Sequence, residues 1–381
     1  GKTEKFNDAG KLVRVSDKNG NFVDLSYGSD GRLARIVDNQ GRRMNFSYNN
    51  HGLVAAIEGE NGKKATYQYD GSNMLVKSTD VEGNTYTFKY EMGTNNLVPN
   101  MIEIGYTDKT TMKIGYWDRS KNQNVKSVKD RDGTFTEYNY GTNASVPGYS
   151  MVNVTVRPSE KLTDEHGKAV PPISVSKYEY YFKKKSDGDE WQYKLVTTLD
   201  GDRTETTYNE CCGLPLLIKH NTEETSFEYD TKGHVTKKIT PNEITELAYH
   251  PTVGKVTKVV RYSKRDKKQS NWSTFEYDAK GNLTFAKNSE KKGVRLFYDG
   301  GGRIRSMVDQ DRRRIDFKYN ENSKPVEISD PSLGTITVSY KQSGEISKVE
   351  STAGRKIALQ VTSAFQNLLD IIRPAGVSLS F

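Results

Sequence analysis

Cysteine is nearly absent. The chain of 381 residues has two, adjacent at Cys211 and Cys212, which excludes a framework of long-range disulfides. Histidine is scarce as well: His51, His166, His220, His234 and His250 are the full set, and no pair has zinc-ligand spacing. No apolar run reaches the ~18 residues of a membrane-spanning helix. The alternating segments also lack the lipid-facing aliphatics of an outer-membrane barrel, so membrane insertion is not expected. Hydrophobic residues make up 34% of the chain and the mean hydropathy is -0.80, which excludes a thick aliphatic core. Catalytic signatures are missing too. There is no Gly-x-Ser-x-Gly elbow, no His-Glu-x-x-His helix and no Walker lysine. Gly300-Gly301-Gly302 opens a strand instead of a helix and so forms no phosphate cradle. These absences predict a chain that is not an enzyme and needs no cofactor or metal. The remaining catalytic alternative is a hydrolase whose carboxylate pair is assembled from distant positions.

The net charge of +8 comes from 57 Lys+Arg against 49 Asp+Glu, a mild excess that permits an anionic partner without requiring one. Asp311-Arg312-Arg313-Arg314 and Lys264–Lys268 are locally basic. The tyrosines nearby keep a core period, and neither an RNP-type strand nor a basic helix is present, so no nucleic-acid partner is expected.

Tyrosine is abundant, with 23 copies, and it keeps time. Phe6, Tyr27, Tyr48, Tyr69 and Tyr90 are spaced by 21 residues, and the beat returns at Tyr208, Tyr229, Tyr249, Tyr277, Tyr298, Tyr319 and Tyr340. Two and four positions before most anchors the residue is apolar or aromatic, as in Met44-Asn45-Phe46-Ser47-Tyr48 and Ile315-Asp316-Phe317-Lys318-Tyr319. Period two marks a strand with one packed face. A turn rich in Asp, Asn and Gly follows, usually with Gly four residues after the anchor (Gly31, Gly52, Gly233, Gly281, Gly302), and then a second short strand such as Leu33–Val37. Glycine supplies the positive φ that such turns need. Self-similarity at this short period predicts an array of units, none able to bury its own apolar face. Only Val361–Ile372 lacks the turn signals and reads as a helix.

Tyr277-Asp278-Ala279-Lys280-Gly281-Asn282-Leu283 and Tyr298-Asp299-Gly300-Gly301-Gly302-Arg303-Ile304 resemble the YD repeat of the Rhs/YD-repeat family. That family includes bacterial Rhs toxins, toxin-complex C components and teneurins. The resemblance covers about 1–140 and 191–360. It implies an all-β array of short antiparallel hairpins forming a curved, spiralling sheet or partial shell, hollow in long members. Toxin members end the array at an Asp-Pro-x-Gly junction. The nearest strings in this chain are Asp330-Pro331-Ser332-Leu333-Gly334, in mid-array, and Arg373-Pro374-Ala375-Gly376, which lacks the Asp.

Three interruptions give the array its individuality. Residues 141–192 separate one array, 1–140, from a second, 193–381, that runs to a C-terminal cap. They are expected to be an irregular insertion, either hairpin arm or cap, and contain the run Tyr178-Glu179-Tyr180-Tyr181-Phe182-Lys183-Lys184-Lys185. Tyr249 and Tyr277 are 28 residues apart, and the extra residues place Arg261, Lys264 and Arg265 near Trp272. Strict alternation turns Trp272 away from the tyrosine ladder and exposes it; an indole beside cations can hold an anionic or glycan ligand. A solvated charged hairpin tip, with Trp272 packed on its own stem, is the structural alternative. In Tyr208-Asn209-Glu210-Cys211-Cys212-Gly213 one residue has been added to the turn. Neighbouring Cα atoms lie ~3.8 Å apart, below the usual disulfide range, so a Cys211–Cys212 bond calls for a distorted or cis peptide. Such strained rings gather at ligand contacts; two ordinary thiols are the alternative.

The leading expectation is a non-catalytic bacterial scaffold, secreted, periplasmic or on the cell surface. Its ligand is a carbohydrate or cell-envelope component held by Cys211, Cys212 and Glu210, or by Trp272, Arg261, Lys264 and Arg265. The rival expectation is the shell segment of an Rhs-type toxin or delivery complex that encloses a cargo polypeptide.

Overall fold

The computed structural model describes residues 2–17, 20–92, 99–117, 124–266, 270–321, 323–341, 345–352 and 354–372. Lys267 and Lys268 of the basic loop and the string Arg373–Gly376 lie outside the described residues. Thirty strands and one helix form among the rest, with successive strands paired antiparallel in register after register. The all-β repeat array expected from the period is what the chain builds.

One repeat shows why. Strand Arg314–Tyr319 buries Ile315 and Phe317 and exposes Arg314 and Lys318, as alternation requires. In the repeat before it, strand Gly293–Tyr298 pairs with Ile304–Asp309, and the register shifts at Phe297/Tyr298 so that Tyr298 opposes Ile304. The turn between is closed by Asp299. Its backbone N–H donates to Arg303 O at 2.9 Å, and its Oδ1 accepts the N–H groups of Gly301 (3.0 Å) and Arg303 (2.9 Å). Gly302 takes φ 78°, a conformation cheap only for glycine. The Asp of each Tyr-Asp pair is therefore an Asx cap for its own turn. Asp70 does the same for Ser72 and Met74, and Asp230 for Lys232 and His234.

The anchor tyrosines reach backward. Tyr298 Oη donates to Leu283 O (2.8 Å), Tyr319 Oη to Ile304 O (2.8 Å), Tyr340 Oη to Pro325 O (2.8 Å) and Tyr69 Oη to Val54 O (2.9 Å). Each acceptor is the residue that opposes the preceding anchor across its bulge: Leu283 opposes Tyr277, Ile304 Tyr298, Pro325 Tyr319 and Val54 Tyr48. Every such hydroxyl staples its hairpin to the one before, at a point where the bulge interrupts the ladder.

The chain divides into two compact units: 1–25 with 37–41 and 228–381, and 26–36 with 42–227. The first has a true core. Val256, Val259, Phe275, Leu283, Ala286, Val294, Leu296, Met307, Ile315 and Phe317 form one buried cluster with Ile371 of the helix. That helix spans Arg355–Ile372, beginning before the expected Val361. Ile357 and Ile371 are fully buried while Leu359 is 68% exposed, so the helix lays one stripe on the sheet. Gln360 Nε2 donates to the buried Asp330 (2.9 Å), and Lys292 Nζ pairs with Asp370 (3.2 Å). In the second unit Ala56 and Val196 are the buried apolar residues among those described, and ladder residues such as Tyr48, Tyr69 and Tyr90 are half-buried. Residues 141–192 lie within it. Tyr149–Arg157, Ser174–Lys184 and Glu190–Leu199, at 9, 11 and 10 residues, are longer than any other described strand and pair with one another in order.

Candidate ligand groove at the cysteine turn

Strand Asp202–Tyr208 ends in the bulge at Thr207/Tyr208, which sets Tyr208 opposite Pro215. Asn209 stands where other repeats carry Asp. Its N–H donates to Leu214 O (2.9 Å), and its Oδ1 accepts Leu214 N–H (2.9 Å) and Cys212 N–H (3.3 Å). The cap is the ordinary one stretched over one more residue, with Gly213 at φ 65°. The stretched turn presents Glu210, Cys211 and Cys212 to solvent. Cys211 and Cys212 are disulfide-bonded to each other with Cα atoms 3.8 Å apart. No peptide bond among the described residues is cis.

Beside this knob runs an open groove of about 510 Å³ lined by Lys185, Trp191, Gln192, Glu210, Cys211 and Cys212, together with Tyr208 and Asn209. Its far wall is the end of the long hairpin Ser174–Lys184/Glu190–Leu199. On that hairpin Tyr181 opposes Lys194 and Lys183 opposes Trp191, the register shifting so that Tyr193 is passed over. The rings of Tyr149, Tyr181, Tyr193 and Trp191 make consecutive edge-to-face contacts, with centroids 5.1, 6.2 and 6.2 Å apart. Lys194 Nζ lies 4.1 Å from the Tyr181 centroid and Lys183 Nζ 4.3 Å from that of Tyr193, in cation–π range. Tyr149 and Tyr181 face each other across their strands, and Tyr140 opposes Val152. By alternation this stripe therefore lies on the face opposite that of Tyr140. Tyr149 Oη and Lys177 Nζ both donate to Glu179 Oε1, at 2.8 and 2.9 Å. Burial opposes ionisation of Glu179, but these two bonds together with the positive charges of Lys177 and Arg203 outweigh it and hold its carboxyl below the usual carboxylate range.

The second expected cluster is only partly assembled. Trp272 is half-buried instead of exposed, because Lys287 folds over its ring at 5.7 Å and its strand is flanked on both sides. Trp272 and Arg261 line one small cavity of about 150 Å³ together with Asn271, Asn288, Glu290 and Asp370. Arg261 is spent on Glu243 in a two-pronged ion pair, its Nε at 2.9 Å, and Asp370 on Lys292. Lys264 and Arg265 are exposed and do not line it. This cavity belongs to the first unit and the cysteine groove to the second. The groove residues that sequence reasoning missed are Trp191, Lys185 and Gln192. The aromatic-basic run at 178–185 pointed to their neighbourhood without showing that the next strand would return an indole beside the cysteines.

Among the described residues no group of His, Cys, Asp and Glu could hold a metal ion. No helix is long and apolar enough to cross a membrane.

Asx-capped turns, bulged anchors and hydroxyl staples define a tyrosine-stapled β-repeat array. The RHS Repeat family model matches residues 48–98, and the chain carries an RHS repeat there. No curated protein matches by sequence. Among solved structures, the crystal structure of TcdB2-TccC3 without its hypervariable C-terminal region is similar at TM-score 0.61 and 13% identity, covering 92% of this chain and 20% of that one. The TcdB2-TccC3-TEV crystal structure gives 0.55 at 11% identity over 92% and 22%. The Tc holotoxin pore of Photorhabdus luminescens with the TccC3 D651A mutation gives 0.54 at 11% over the same shares. The likeness is one of fold, and this chain spans about a fifth of the length of those chains.

Proposed function

We propose that this chain is a wall segment of an RHS-type shell belonging to a toxin or toxin-delivery assembly, acting as a non-catalytic scaffold that encloses a polypeptide. The observation that carries this reading is the fold match to TcdB2-TccC3 over 92% of the chain. The second unit adds weight. Its ladder face is half-exposed along its repeats, with Ala56 and Val196 as its buried apolar residues among those described, as suits a wall whose aromatic face meets something other than its own core. Such a polypeptide works outside the cell that makes it. The leading expectation from the sequence, a glycan-binding scaffold, rests on one groove and not on the fold.

Limited proteolysis of the full native polypeptide containing this segment tests the reading. Polypeptide flanking the array should survive protease under native conditions and be cut once denaturant opens the array. Flanking polypeptide cut equally fast in both conditions overturns it.

A further inference from the structure

We infer that the groove between Trp191 and the Cys211–Cys212 ring is a binding site for a neutral oligosaccharide, an activity separate from any wall function. Three observations converge on it. An indole and a disulfide line one groove large enough, at about 510 Å³, for more than one sugar ring. The flat apolar face of a pyranose packs on such surfaces, since its axial C–H groups meet an aromatic face or polarisable sulfur in preference to water. The aromatic stripe Tyr149–Tyr181–Tyr193 continues away from Trp191, which gives further rings of a chain a surface to follow.

The polar lining points to the same chemistry. Among the described residues, Lys185, Gln192 and Glu210 make no side-chain hydrogen bond or ion pair, although all three line this groove. A cation, an amide and an anion left free around one groove supply donors and acceptors for hydroxyl groups without a net charge, so the site suits a neutral polyol better than a phosphate or an acidic polymer. Asn209 is the one polar lining residue already committed, and it fixes the knob through Cys212 and Leu214. The added residue of this turn thus has a use: a four-residue Tyr-Asp turn would not carry the ring out beside Trp191.

The test is isothermal titration of the purified chain with maltohexaose, cellohexaose and chitohexaose, alongside heparin as the acidic comparison. At least one neutral hexaose should bind. Trp191→Ala and the double change Cys211→Ser/Cys212→Ser should each weaken it tenfold or more, while Trp272→Ala leaves it unchanged. Reducing the wild-type protein should mimic the double serine variant. The melting temperature of that variant should match wild type, because a bond between neighbours closes no loop in the unfolded chain. Trp191→Phe, which keeps an aromatic face, should retain part of the affinity and guards against a folding defect in the alanine variant. Binding of heparin alone, binding of no probe, or hexaose binding indifferent to Trp191→Ala and Trp191→Phe overturns the inference. None of these results bears on protease protection of the flanking polypeptide, so the two readings fail separately.

Discussion

At each anchor the question is why tyrosine stands there and not phenylalanine. The ring fills the ladder, and the hydroxyl satisfies a carbonyl one hairpin back, as Tyr298 does for Leu283. The two parts separate by mutation. Tyr298→Phe keeps the ring and loses one hydrogen bond, and should cost about 1 kcal/mol. Tyr298→Ala loses both and should cost about 3 kcal/mol, the low end for an aromatic because Tyr298 is half-buried. Urea unfolding of the two variants measures both, and equal losses would remove the staple as a separate contribution. Ionisation gives a second handle. Burial, helped by the neighbouring Tyr298 and Asp278 respectively, pushes the phenols of Tyr277 and Tyr298 up to about 12. The unfolded chain ionises them near 10, so the folded state binds the proton more tightly. Stability should be intact below pH about 10 and fall as pH rises toward about 12, which urea midpoints from pH 8 to 12 would show. The turn carboxylates act at the other end. Asp299 is held low because bonds from Arg303 and Gly301 outweigh its burial. Stability should accordingly decline as pH drops below about 4.

Among elements, the helix Arg355–Ile372 shows how one covering piece turns a thin sheet into a core. Its buried stripe includes Ile357 and Ile371, and Phe365 meets Phe317 edge-to-face at 5.9 Å. Ile371→Ala should cost about 3 kcal/mol, whereas Leu359→Ala, on the solvent side, should change stability by less than about 0.5 kcal/mol. Chemical denaturation followed by far-ultraviolet circular dichroism compares them, and similar costs would mean that the helix is not docked as described. The strands were legible in the sequence because a period of two is local: Ile315 and Phe317 declare their face without reference to anything distant. The helix was legible only from Val361 on, since Arg355–Gln360 follows a glycine turn with mixed polarity and is helical because Ile357 finds the sheet. Trp272 stands off the ladder on the face that alternation gives it, but is half-buried there instead of exposed. Alternation gives the face on which a side chain starts, but not the Lys287 stem that folds over it. The cysteine turn was legible as an anomaly of length; the groove was not, because Trp191 comes to it from a hairpin outside the 21-residue beat.

For the whole molecule, a repeat array is stabilised by contacts between neighbours, so stability is distributed along the chain and not held in one centre. The two units differ sharply in what covers their strands. Leu283–Asn288 and Gly293–Tyr298 lie in the buried cluster under the helix, while Leu75–Thr79 and Thr85–Met92 contain no fully buried residue. Native-state hydrogen exchange should therefore be slow, tracking cooperative unfolding, for the first pair of strands, and faster by a factor of ten or more for the second. Equal protection would mean that uncovered ladder faces are as stable as covered ones, and that the tyrosine staples alone set local stability. The same measurement reaches function when it is made on the full native polypeptide. A wall that encloses a chain has its aromatic face covered by that chain, so Leu75–Thr79 and Thr85–Met92 should then slow toward the first pair. If they exchange as fast in the full polypeptide as in this segment, the face meets only water, and the scaffold surrounds nothing.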